Sequence, residues 1–121
     1  MKFHEMDSIV ALREQMTSDF GPVILINKFN VDPGEADALL TAWAADAAFM
    51  KRQPGFISTQ LHRGILGSSV LVNYAVWESV ESFRRAFSQP EFQAALAQYP
   101  ESTVAEPHLF QKVAISGICV A

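Results

Sequence analysis

Phe56-Ile57-Ser58-Thr59-Gln60-Leu61-His62-Arg63 and Ser69-Val70-Leu71-Val72-Asn73-Tyr74-Ala75-Val76-Trp77 are separated by a short connection from Gly64 to Gly67. β-Branched and aromatic residues dominate the second run, and two glycines supply the freedom of a tight loop, so the pair predicts a hairpin. Its flanks decide what the hairpin belongs to. Gln53-Pro54-Gly55 closes one helical pattern before it, and Ser79 opens another after it, with the serine as cap and Glu81 near the positive helix end.

Further upstream, Asp32-Pro33-Gly34-Glu35 predicts a helix start: the aspartate caps, the proline suits the first position, and the glutamate sits where a capping-box acid reaches back. This helix should run to about Arg52. It presents Ala36, Leu39, Leu40, Trp43, Ala47 and Met50 to a sheet, while Asp37, Asp46 and Lys51 are expected to face water. Before it, Pro22 to Val31 alternates as a strand, with Val23, Leu25, Asn27 and Phe29 on one face and Ile24, Ile26 and Lys28 on the other. Downstream, Phe83, Ala86 and Phe87 mark the inner side of the next helix. Pro90 lacks an amide donor and forces a break and restart before Phe92, Leu96 and Tyr99. His108 to Ser116 reads as the closing strand.

The order β, α, β, β, α, β is the split βαβ arrangement, a ferredoxin-like α+β fold. Residues 1–20 stand outside it as an N-terminal arm, read as helical from Ile9, Leu12 and Met16, and residues 21–121 form the domain. Helices cover one sheet face. A second copy of the same sheet is the simplest cover for the other, so the chain is expected to be a homodimer pairing sheet to sheet as a dimeric α/β barrel.

Composition agrees with one core and a partner. The 121 residues suit a single domain, and half of them are apolar, which leaves apolar surface for a second subunit. A net charge of -4 without a basic cluster argues against nucleic acid. The lone Cys119 makes no internal disulfide, and no His, Cys or carboxylate spacing suggests a metal: His4-Glu5 begins like a zinc helix, but Ser8 stands where the second histidine belongs. Acids near the start and the lack of a long apolar run predict no signal peptide and no membrane span, hence a cytoplasmic protein. Neither a phosphate loop nor a nucleophile elbow is present.

Chemistry is left to one strand face. Period two puts Asn73 and Trp77 together, with small Ala75 between them, and Asn27 joins them if the first strand faces the same way. Two amides and an indole then converge on a slot walled by Leu39, Trp43, Phe83 and Phe87, an apolar site with a few polar anchors. The structural alternative is a core tryptophan beside a satisfied amide network. Against it stands the cost of burying unpaired amides, about 1 to 3 kcal/mol each. Leu61 and His62 complete the candidate substrate contacts, although His62 alternates with Ser58 and Gln60, which is the ordinary pattern of a surface or interface histidine.

Gln53-Pro54-Gly55-Phe56, Leu61-His62-Arg63 and Asn73-Tyr74-Ala75-Val76-Trp77-Glu78-Ser79, in that order and spacing, resemble the antibiotic biosynthesis monooxygenase family over roughly Pro22 to Ser116. The resemblance implies a dimeric α/β barrel. In one branch it implies oxygenation of anthrone-like polyketides by dioxygen without metal, flavin or other cofactor, with Asn27, Asn73 and Trp77 as the catalytic residues. A tyrosine found in one variant of the pattern is Phe83 here. A haem-degrading branch takes an axial histidine from the helix after the tryptophan, where this chain reads Phe83-Arg84-Arg85-Ala86-Phe87-Ser88. Two readings follow: a cofactor-independent monooxygenase acting on a small aromatic substrate, or a non-catalytic, stress-related binding dimer using the same pocket.

Overall fold

The computed structural model describes residues 1–120. Five strands form one sheet: β1 (Lys2–Phe3), β2 (Val23–Asn30), β3 (Phe56–Arg63), β4 (Val70–Trp77) and β5 (Val104–Phe110), in the spatial order β1-β5-β2-β4-β3. The β1 and β5 pair is parallel; all other pairs are antiparallel. The helices are α1 (Leu12–Gln15), α2 (Ala36–Met50), α3 (Val80–Phe87) and α4 (Pro90–Ala95), with 3-10 turns at Pro33–Glu35 and Leu96–Gln98. From β2 to β5 the order is that of a ferredoxin-like domain, its second helix broken at Pro90.

The hairpin stands where its residues predicted it. Ser79 caps α3 as expected, its Oγ accepting the Ser82 N–H at 3.1 Å. Gly55 supplies the turn into β3 at φ +86°, and a Cβ there would collide with the Ser82 side chain, so no other residue fits without displacement. One residue into β3 the register slips between Phe56 and Ser58, a bulge that leaves Phe56 opposite Trp77.

Three expectations need correction. The capping box before α2 does not form: neither Asp32 nor Glu35 makes a side-chain cap bond, and the chain enters α2 through the 3-10 turn that Pro33 opens. The arm is not one helix. Its first residues pair with β5, and only a single turn, α1, is helical. The last strand is Val104–Phe110 instead of 108–116; the apolar residues beyond it, including Val113 and Ile118, are exposed.

The core lies between the sheet and α2, α3 and α4, in two clusters. One gathers Val23, Leu25, Ala75, Trp77 and Phe83. The other gathers Phe29, Leu39, Leu71, Tyr99 and Ala105. Register explains the gap between them: Leu25 pairs with Ala75 and Phe29 with Leu71, while the intervening pair is Asn27 and Asn73. A polar layer one residue thick thus divides the core. On the opposite sheet face, Ile26, Val72, Tyr74 and Val76 are only half-buried.

Candidate active site

A partly enclosed cavity occupies that polar layer, with an empty volume, mouth included, of about 630 Å³. The sheet floors it with Asn27, Asn73, Ala75 and Trp77. From above, α2 contributes Trp43, Asp46, Ala47 and Met50, whose spacing of three and four residues places them along one helix face. Phe83 and Phe87 close one side, and Met1 and Phe3 of the arm reach it from the β5 edge.

Aromatic packing makes the walls stiff. The Trp77 ring meets Phe56 edge-on at 5.4 Å and 89° and Phe83 at 5.9 Å and 70°. The row continues from Phe83 to Phe87 at 5.5 Å and on to Phe92 at 4.9 Å. Such contacts add about 0.5 to 1.5 kcal/mol per pair beyond burial and fix ring orientations.

Several of the lining residues carry polar atoms without partners. Five buried side-chain atoms among the described residues lack a hydrogen bond, and three of them belong to cavity residues: Asn27 Oδ1, Asp46 Oδ1 and Trp77 Nε1. The other two, on Thr103 and His108, belong to residues outside the lining. Each unpaired atom costs about 1 to 3 kcal/mol, and three of the five fall on residues that line one cavity. Asn73 is different: Thr59 Oγ1 donates to its Oδ1 at 2.5 Å, which turns its N–H pair into the available donor.

Asp46 is the residue that sequence reasoning misplaced. It is 9 % exposed, not solvated. Tyr99 Oη donates to its Oδ2 at 2.8 Å, and the Tyr99 ring lies parallel to Phe29 at 6.0 Å. Burial pushes the Asp46 carboxyl up from 3.8 to about 6, partly offset by the Tyr99 hydrogen bond. The Tyr99 phenol is raised above its ordinary value by burial and then by the neighbouring carboxylate. A signal was present in the sequence: Asp46 is seven residues after Leu39 and four before Met50, on the apolar stripe itself.

The structure brings Asn27, Asn73, Trp77, Trp43, Phe83 and Phe87 together and leaves three candidates out. Leu39 is fully buried in the Phe29 cluster, two turns of α2 before Asp46. Leu61 faces the same side as Asn73 but packs against that cluster. His62 pairs with Val72 on the opposite sheet face and is exposed, because alternation along β3 turns it away from the helices. No histidine lines the cavity: His108 is buried at β5, where its Nε2 and the Gln15 amide lie 3.1 Å apart. Among the described residues no cluster of three or more His, Cys, Asp or Glu stands together, and no helix is long and apolar enough to cross a membrane.

The family profile of antibiotic biosynthesis monooxygenase matches residues 22–98. Deoxynogalonate monooxygenase of Streptomyces nogalater is 40% identical over 74 residues, which is 61% of this chain and 62% of that protein's length. The crystal structure of SnoaB, a cofactor-independent oxygenase from Streptomyces nogalater, is 31% identical with a TM-score of 0.68, covering 83% of this chain and 99% of that one. Rv0793 from Mycobacterium tuberculosis, 19% identical, shares the fold with a TM-score of 0.68 over 80% of this chain and 100% of its own.

Proposed function

The chain belongs to the antibiotic biosynthesis monooxygenase family, and from that premise we propose that it oxidises an anthrone-like, quinol-like or other polyphenolic molecule with dioxygen, without a cofactor. The observation that carries this reading is the set of unpaired polar atoms on residues that line an aromatic-walled cavity. The 31% identity to SnoaB, a cofactor-independent oxygenase, supports the same reading.

The chemistry asks little of the protein beyond placement. A methylene flanked by ketone and phenol groups is acidic, and its enolate can pass one electron to dioxygen. Radical and superoxide then combine to a peroxide, which loses water. In sum, CH2 and O2 become C=O and H2O, so no outside reductant is needed. The flat rings would lie between Trp43, Phe83 and Phe87 on one side and the sheet on the other, residues that line the cavity together. Asn73 and Trp77 would donate to the developing oxyanion and peroxide, where preorganised donors are worth most, and Asn27 Oδ1 would accept from a phenol. With no histidine in the lining, the haem-degrading reading has no axial ligand there. The uncovered sheet face supports a homodimer, each subunit keeping its own site.

Metal-stripped protein mixed with an anthrone or a dihydroxynaphthalene is expected to accelerate dioxygen uptake. Asn73→Ala should lower kcat by about 100-fold, the usual effect of losing one oxyanion donor, and Trp77→Phe should slow the reaction in the same direction. Binding of the whole panel without dioxygen consumption would instead identify a non-catalytic binding protein, and a tight, Soret-shifted haem complex would restore the haem reading.

A further inference from the structure

Asn27, Asn73 and Trp77 can position and stabilise, but none of them accepts a proton at neutral pH. We propose that Asp46 is the proton acceptor of the oxygenation, taking the proton of the substrate's acidic C–H on Oδ1 while Tyr99 holds Oδ2. This assignment rests on the oxygenase reading and supplies the base that reading lacks.

Geometry carries the argument. Asp46 lies on the α2 face that lines the cavity, in step with Trp43 and Met50. One of its oxygens is fixed by Tyr99, and the other is buried, without a partner, in a residue of the cavity wall. Tyr99 is itself fixed by its stack on Phe29. The cavity residues that carry titratable groups are Asp46, Tyr99 and the N-terminal Met1; no lysine, arginine, histidine or glutamate lines it from the sheet, α2, α3 or α4. Burial raises the carboxyl value and the Tyr99 bond offsets part of that rise, with no other charged group contributing. A carboxylate titrating near 6 is ionised at neutral pH yet a better proton acceptor than an ordinary one.

The step balances. The C–H bond breaks, its electron pair stays on carbon as the enolate, and an O–H bond forms on Asp46 Oδ1. After electron transfer and radical recombination, that proton returns to the peroxide, which leaves water and the carbonyl. Asp46 ends as the carboxylate it began.

The test is the pH dependence of kcat/KM for anthrone oxidation in wild type, Asp46→Asn and Tyr99→Phe. Wild type is expected to lose activity as pH falls through about 6. Asp46→Asn should lower kcat by about 100-fold and abolish that acidic limb. Tyr99→Phe removes the bond that lowers the carboxyl value, so its limb should move to higher pH, with activity recovering on the alkaline side. A limb that persists in Asp46→Asn, whether or not kcat falls, overturns the assignment and leaves the oxygenase reading standing. So does a limb unmoved in Tyr99→Phe, which decides the matter if Asp46→Asn does not fold. A wild type that consumes no dioxygen with any anthrone overturns both readings together.

Discussion

Asp46 has a cost in stability that the rest of the core must offset. Its carboxyl titrates at about 6 in the folded chain against 3.8 in a solvated one. Between those values the native state holds more protons than the unfolded state, so this group's contribution makes stability fall as pH rises through that window. Above about 6 the full penalty, on the order of 2 to 3 kcal/mol, is present. Asp46→Asn is therefore expected to gain stability relative to wild type progressively from pH 3.8 to 6 and hold that gain above it, as read from urea unfolding at several pH values. Parallel curves for the two proteins would show that burial does not shift this group. Asn27, Asn73 and Trp77 were legible beforehand because strand alternation alone determines which residues share a face. Asp46 was less so: its place on the apolar stripe is a signal, but a carboxylate on a helix is by default assigned to solvent, and its partner Tyr99 lies 53 residues away.

At the scale of elements, the structure departs from expectation at the entry to α2 and at the two chain ends. Pro107, which cannot donate to a ladder, stands inside β5. In the structure His4 N–H donates to Ala105 O, and the Gln15 side chain bonds both the N–H and C=O of Leu109. Residues 105 and 109 thus point their backbone groups to the outer side of β5, and by period two so does Pro107, where no strand partner requires the missing donor. The apolar run after Phe110 carries the sequence signal of a strand, yet its residues are exposed beyond the end of β5. The sequence sets the first residues apart as an arm and leaves its role open; in the structure β1 carries Phe3 to the cavity, where it meets Phe87 at 6.4 Å. Because Phe3 is 45% exposed, Phe3→Ala should cost under about 1 kcal/mol of stability. The same change should raise KM several-fold by unwalling the mouth, measurable by steady-state dioxygen uptake alongside a thermal melt. An unchanged KM would mean that β1 serves only the sheet edge.

For the whole molecule, the sheet has one face built into the core and another without cover. Ile26, Val72, Tyr74 and Val76 lie on the second, together with the Lys28 and Glu106 pair at 3.7 Å. Light scattering is expected to give twice the 13.4 kDa chain mass. Val72→Asp should shift the protein to the single-chain mass, since an unpaired charge buried between two sheets costs several kcal/mol. A wild type that runs as a monomer would refute sheet-to-sheet pairing.

The middle of β4 also bears on how this chain can vary. Asn73 looks into the cavity, and its neighbours Val72 and Tyr74 look out of the opposite face. Inserting or deleting one residue between Val70 and Trp77 would exchange the two sets, placing a tyrosine where the amide belongs and an amide where a second sheet would lie. This segment tolerates changes of identity but not of length. The turn from Gly64 to Gly67 and the exposed stretch from Gln111 to Val120 accept changes of length, so insertions for tagging or library design belong there.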